Sequence, residues 1–171
     1  MKWVQKYLAA YERPYTEVPE EVKQEVARKL KKFSHVEEPV ISVVAIAHNE
    51  GRHILACLWS LADNAVDLPT EIIVVSNHST DDTDTILSEL GVTWYSETRK
   101  SPGFARQCGL DHARGTYHIC IDSDTLYPPH YIATHVHYLQ QKDVVCTYGL
   151  WSFLPDKNHS ATGLFLLRTI A

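Results

Sequence analysis

Residues 116–124 read Thr-Tyr-His-Ile-Cys-Ile-Asp-Ser-Asp, a short run rich in β-branched and aromatic residues that stops at two carboxylates one residue apart. A buried strand that delivers acids to its carboxyl end has this form. In an open α/β sheet, ligands sit outside the carboxyl ends of the strands. Crowded carboxylates repel each other and cost desolvation, so a cation is the natural companion of Asp122 and Asp124. A hard divalent ion that also holds phosphate oxygens fits such a pair. Asp and Ser are equally common in turns, so a plain turn after a strand is the alternative that this stretch leaves open.

Outward from this stretch, strand and helix alternate. Val40 to Ala47 is a continuous apolar run, the pattern of a strand covered on both faces. A helix is expected from Glu50 or Gly51, with Ile54, Leu55, Leu58, Leu61 and Ala62 at helical spacing. Glu71 to Ser76 reads as a second buried strand. Ser79 or Thr80 is the expected cap of a helix ending at Gly91. Val92 to Ser96 is a third strand, and a helix opens at Pro102-Gly103 and runs to Gly115. After the acidic strand a helix is expected from Pro128 or Pro129 through Lys142. A fifth strand is expected over 143–153, and one more helix after Ser160. This alternation predicts an α/β fold with a mostly parallel sheet and helices on both faces. Three polar clusters, Ala47 to Glu50, Asn77 to Asp81 and Asp122 to Asp124, should then meet at one edge.

Residues 1–38 have a different character, dense in Lys and Glu and without strand signals. Trp3, Tyr7 and Tyr11 fall at helical spacing. A second helix is expected near Pro19, with Glu20 and Glu21 in its first turn and Arg28, Lys29, Lys31 and Lys32 near its end, as the macrodipole favours. Val22, Val26, Leu30 and Phe33 make one apolar stripe. The expected organisation is an N-terminal helical extension over 1–38, packed on a main domain over 39–171.

The chain has 171 residues, 44% hydrophobic and 22% charged, with a formal net charge of −5. This balance argues against nucleic acid as a partner. No apolar run is long enough to span a bilayer, and the N-terminus has no apolar signal core. The four cysteines are scattered without a Cys-x-x-Cys pair, which reads as reduced, structural thiols and a cytoplasmic setting. The ten histidines offer no convincing metal-ligand set. The turn after the first strand lacks the Gly-x-Gly-x-x-Gly of a dinucleotide-binding dehydrogenase, and no P-loop is present.

In order along the chain stand Ile46-Ala47-His48-Asn49-Glu50, Ser76-Asn77-His78-Ser79-Thr80-Asp81, Ala105-Arg106-Gln107-Cys108-Gly109, and Gly115-Thr116-Tyr117 followed by Asp122-Ser123-Asp124. Over residues 40 to about 150 this series resembles the family 2 glycosyltransferases of GT-A fold. The resemblance implies the Rossmann-like GT-A sheet and transfer of a sugar from a nucleoside-diphosphate sugar to an acceptor hydroxyl, with inversion. It implies polysaccharide biosynthesis as the setting and Mn²⁺ or Mg²⁺ as the cofactor. It places Ala47, His48, Glu50, Asn77, Arg106 and Asp122 around the nucleotide sugar and Asp124 on the metal. His48 replaces an aromatic residue that packs on the base. Asn77 stands where the family has an Asp that accepts from the base, and an amide both donates and accepts. Asp122 faces the ribose or base side. Arg106 approaches the nucleotide, with a surface helical Arg as the plainer alternative.

The family's general base is a carboxylate well downstream of Asp-x-Asp. The one later acid after Asp143, Asp156, lies in a Pro-Asp-Lys-Asn turn. The base is therefore expected beyond residue 171, and the chain reads as the nucleotide-binding part of a longer enzyme. The acceptor, whether glycan, lipid or protein, is not specified, and a peripheral position at the inner face of a membrane is compatible with this class. A non-catalytic nucleotide- or sugar-binding module is the first alternative. Asp122-Ser123-Asp124-Thr125 also resembles the opening motif of haloacid-dehalogenase-like phosphatases, but that motif normally ends the first strand of its fold. A nucleotidyltransferase would need a Gly-rich first loop, which is missing.

Overall fold

The computed structural model describes residues 2–152 and 154 of the chain. A 3₁₀ helix over Trp3–Ala9 and a short 3₁₀ turn over Tyr15–Glu17 precede α1 (Glu20–Leu30), which ends in a further 3₁₀ turn, Lys31–Phe33. Then come β1 (Ile41–Ala47), α2 (Ile54–Ala62), β2 (Thr70–Asn77), α3 (Thr83–Leu90), β3 (Thr93–Glu97), α4 (Pro102–His112), β4 (Tyr117–Asp122) and α5 (Tyr131–Leu139).

The four strands form one sheet in the order β3-β2-β1-β4, and every pairing is parallel. β1 is central, and Val43, Val44 and Ala45 are completely buried because helices cover both faces. Ile41, Val43, Ala45 and Ala47 point into the larger core with α1, α2, α3 and α5. Ile73, Val75 and Ala105 form a smaller core under α4 on the opposite face. There Gly109 lets the helix lie close, since a Cβ at this position would collide with Val44.

α2 explains the N-terminal segment. All nine of its residues are buried, so the helix is apolar all round and needs cover on its outer side as well as on the sheet. That cover is α1, with Val26 and Leu30 fully buried, and the Trp3–Ala9 turn, where Tyr7 meets Trp59 edge to face at 5.5 Å. Val22 is half-buried and Phe33 buried, so the stripe at steps of four, four and three does face the core. Asp63, at the end of α2, fastens both pieces. It accepts hydrogen bonds from Lys29 Nζ and Lys6 Nζ, each at 2.6 Å, and from the Tyr7 hydroxyl at 3.0 Å.

Several boundaries differ from expectation for local reasons. α4 stops at His112 rather than reaching Gly115, because Arg114 is drawn to the buried Glu71. Its backbone N–H donates to Glu71 Oε1 at 2.9 Å and its Nη2 to Oε2 at 2.7 Å. α2 begins at Ile54 rather than near Glu50, because the preceding turn is tied to the next loop. α5 ends at Leu139. The expected fifth strand is not formed within 143–152, where Val145 and Leu150 are more than nine-tenths exposed and pair with no strand. The remainder of that strand, Asp156 and the helix expected after Ser160 lie outside the described residues. No helix among the described residues is long and apolar enough to cross a membrane.

The Asp63 junction has a measurable signature. Burial pushes the Asp63 pKa up, but the hydrogen bonds from Lys29, Lys6 and Tyr7 outweigh it and hold the carboxyl below its usual value. A depressed folded pKa makes the stabilisation full above pH about 4 and removes it as acid takes the pH down through the folded value. Asp63→Ala should lower unfolding free energy at pH 7 by about 2 kcal/mol. In urea titrations that difference should shrink towards pH 3 and below. Equal midpoints for both proteins at pH 7 would contradict this role.

Candidate active site

The parallel register sets the edge. Ala47 lies opposite Ser76 across β1 and β2, Ile46 opposite Asp122 across β1 and β4, and Asn77 opposite Glu97 across β2 and β3. All four strands therefore end on the same side, and the loops leaving them share one space.

The loops after β1 and β2 are stitched together. Asn49 and His78 both adopt the left-handed conformation, with φ of 58° and 55°. The Asn49 side chain accepts from the Thr80 N–H at 2.7 Å, and its own N–H donates to Ser79 Oγ at 3.2 Å. The Glu50 N–H donates to Thr83 Oγ1, and the Gly51 N–H to Asp81 Oδ2, both at 2.9 Å. A Cβ at Gly51 would meet the carboxylate of the exposed Asp82, which would have to swing aside. Ser79 and Thr80 are thus spent on the neighbouring loop and do not cap α3. The N-cap residue Asp82 makes no side-chain cap bond, and Asp81, one position earlier, accepts from the Thr83 N–H at 3.1 Å. His48 Nδ1 donates to the Asn77 carbonyl oxygen at 2.7 Å, which leaves Nε2 as the ring's acceptor when it is neutral. Glu50 accepts from His53 Nδ1 at 2.7 Å, a bond that raises the His53 pKa.

The Asn77 side chain faces a different task from the one its position suggests. Its Nδ2 donates to the carbonyls of Glu97 at 3.1 Å and Arg99 at 2.8 Å, and its Oδ1 accepts from the Ser101 N–H at 3.0 Å. Both amide hydrogens are therefore committed to the 97–101 loop. Ser101 then caps α4 through Gly103, and the Arg99 guanidinium holds the Glu97 carboxyl down at about 2. Arg99 also lies over the Phe104 ring, 4.4 Å from its centre.

The acidic turn is held by hydroxyls. Ser123 Oγ donates to the Ile46 carbonyl at 2.8 Å. The Tyr127 hydroxyl accepts from the Asp122 N–H at 3.2 Å and donates to the Asp122 carbonyl at 2.8 Å. Burial pushes the Tyr127 pKa up, so the phenol keeps its proton. Arg106 Nη2 donates to Asp122 Oδ1 at 2.8 Å, and Thr125 Oγ1 to Asp124 Oδ1 at 3.1 Å.

These loops enclose a cleft of about 520 Å³. Ala47, His48, Glu50, Asn77, Asp122 and Asp124 all line it, with Lys100, Ser101 and Pro102 on the far wall. Arg106 is not a lining residue and reaches the cleft through its bond to Asp122. Lys100, Ser101 and Tyr127 lie outside the sequence motifs. Only the Ser-Pro-Gly helix start signalled Ser101, and nothing in the sequence signals which carbonyl a buried tyrosine will meet. The donor set suits a hard cation, since Asp122 and Asp124 offer carboxylate oxygens in an open cleft. Among the described residues no group of three or more His, Cys, Asp or Glu is placed to hold a metal. An ion held by Asp124 would draw its other ligands from phosphate oxygens and water, since Asp122 is paired with Arg106.

Residues 42–162 match the family model described as glycosyl transferase family 2. An uncharacterised glycosyltransferase of Rickettsia prowazekii is 26% identical over 132 residues, covering 74% of this chain and 41% of the relative. A second uncharacterised glycosyltransferase, from Haemophilus influenzae, is 26% identical over 125 residues, covering 67% of this chain and 48% of the relative. The chain thus spans less than half of either. Among solved structures, a mannosyltransferase from Pyrobaculum calidifontis in complex with GDP-Man and Mn²⁺ superposes with a TM-score of 0.57 at 27% identity, covering 71% of this chain and 40% of that one. Glucosyl-3-phosphoglycerate synthase from Mycobacterium tuberculosis, in complex with Mn²⁺ and UDP-glucose, superposes at 0.52 and 26%, covering 71% and 44%. The fold is that of the GT-A glycosyltransferases.

Asn77→Asp provides a test of the amide's role. The carboxylate cannot donate to the carbonyls of Glu97 and Arg99, so the variant should lose about 1–3 kcal/mol of stability in urea unfolding. Wild-type stability in the variant would show that the amide is not what holds the 97–101 loop.

Proposed function

This chain belongs to glycosyltransferase family 2, and we propose that it is the nucleotide-sugar-binding part of an inverting, metal-assisted enzyme. Its donor is a nucleoside-diphosphate sugar, and its acceptor is a hydroxyl on a glycan, lipid or protein, as in polysaccharide biosynthesis. Residues 39–171 form the nucleotide-sugar domain and residues 1–38 its helical extension. The observation that carries the reading is the convergence of Asp122 and Asp124 with His48, Glu50 and Asn77 in one cleft at the carboxyl edge of a parallel sheet.

In this reading His48 lies against the base, turned by its bond to the Asn77 carbonyl. Asn77 contributes at one remove, by holding the 97–101 wall against which the nucleoside rests. Glu50 contacts the nucleoside. Asp122 faces the ribose, kept in place by Arg106 and Tyr127. Asp124 lies under the diphosphate and holds Mn²⁺ or Mg²⁺. When bound, that ion supplies charge neutralisation for the departing nucleoside diphosphate. Inversion needs a general base on the far side of the sugar, and this role is assigned to a carboxylate beyond residue 171. Residues 1–171 should accordingly bind the donor and transfer poorly. A cytoplasmic setting accords with four cysteines that are all free. Family membership accounts for Asp122 and Asp124 without a phosphatase.

Calorimetric titration with UDP and with GDP, in Mn²⁺ and in a chelator, tests the assignment. Asp124→Asn is nearly isosteric but loses the charge that holds a hard cation, so it should abolish the metal-dependent part of binding and leave the fold intact. Asp122→Asn should weaken binding in both conditions. Equal affinities for wild type and Asp124→Asn in Mn²⁺ would remove the metal from the site.

A further inference from the structure

The hydroxyl of Tyr11 donates to the main-chain carbonyl of Asp124 at 2.7 Å, joining residues 113 positions apart. Tyr11 lies outside the span that matches the family, residues 42–162. Its ring also rests on the imidazole of His53, 5.0 Å between centres, and His53 is the residue that binds Glu50. One side chain of the N-terminal segment thus touches the acidic turn on one side and the support of the Glu50 carboxylate on the other.

Tyr11 is itself held. Its N–H donates to the Tyr7 carbonyl at 3.1 Å. Tyr7 is 3% exposed and pinned by Asp63 and Trp59, and Ala10 is 1% exposed. The hydroxyl therefore projects from a platform fastened to α2.

Thr125 Oγ1 bonds the Asp124 carboxylate, and three further hydroxyls divide the backbone of the acidic turn between them. Ser123 Oγ ties Ser123 to β1, and Tyr127 ties both main-chain polar groups of Asp122. Tyr11 ties the main chain of Asp124. A carboxylate that projects from a fixed backbone loses less conformational freedom when it takes a ligand. We infer that Tyr11 is a positioning residue of the metal–diphosphate site, so that the helical segment ahead of the family domain is a working part of that site. The inference rests on Asp124 as the metal-binding carboxylate.

The test uses the full chain with Tyr11→Phe, which keeps the ring and removes one oxygen. Tyr7→Phe is the control: it removes a hydroxyl bond from the same segment, at Asp63 and away from the acidic turn. Three readouts are needed: thermal melting, hydrogen exchange of the 122–126 amides without ligand, and titration with UDP and GDP in Mn²⁺ and in chelator. Tyr11→Phe should speed exchange at 122–126. It should weaken Mn²⁺-dependent affinity by about 3- to 10-fold, the size of one net hydrogen bond, and leave affinity in chelator unchanged. Tyr7→Phe should lower the melting temperature and change neither affinity. Wild-type affinity and exchange in Tyr11→Phe would overturn the inference alone. So would a loss of equal size in Mn²⁺ and in chelator, since that is what a merely structural tyrosine produces. A wild type with no Mn²⁺-dependent binding would overturn the assignment of Asp124, and the inference with it.

Discussion

The parallel pairing of β1 on both sides governs this molecule. With β2 on one side and β4 on the other, all running the same way, Ala47, Asn77 and Asp122 must end at one edge. A parallel strand in the middle of a sheet is covered on both faces, which is why Val40 to Ala47 reads as an unbroken apolar run. The same requirement passes outward. β1 needs α2 above it, α2 is apolar all round, and so α2 needs α1 and the first 3₁₀ helix. The N-terminal segment is a second layer of the core, fastened at Asp63.

Much of this is legible in the sequence because burial writes itself into composition. The strand at Ile41–Ala47 is a nearly pure apolar run, Ile72 to Val75 form the apolar centre of Thr70–Asn77, and Gly91 closes α3 in the left-handed conformation expected of it. The gathering of His48, Glu50, Asn77, Asp122 and Asp124 follows from strand order and direction alone. What the sequence hides is the choice of partner. Ser79 and Thr80 are as good a cap as Asp81 by residue type, but both are taken up by Asn49, and it is Asp81 that reaches the Thr83 N–H while its other oxygen accepts from Gly51. The stretch 143–153 has strand composition, yet a strand exists only where an edge receives it, and Val145 and Leu150 stand in solvent. Arg114 likewise looks like the last turn of a helix until Glu71 is placed beside it.

Asn77 shows how a departure from a family pattern becomes intelligible. An Asp there would offer only acceptors, whereas two carbonyls, those of Glu97 and Arg99, need donors. The amide is fitted to the loop that this chain has. The cleft wall and the residue beside it are therefore one unit.

The central claim is that three strand ends make a single nucleotide-diphosphate site with a metal at Asp124. Crystals of the full chain grown with UDP or GDP and Mn²⁺ test it directly, through the anomalous signal of the manganese. The account predicts one strong peak beside the Asp124 carboxylate, both phosphates in contact with it, and the base between His48 and the 97–101 loop. A nucleotide bound away from this cleft, or a manganese peak with no oxygen of Asp124 in its coordination sphere, would contradict it.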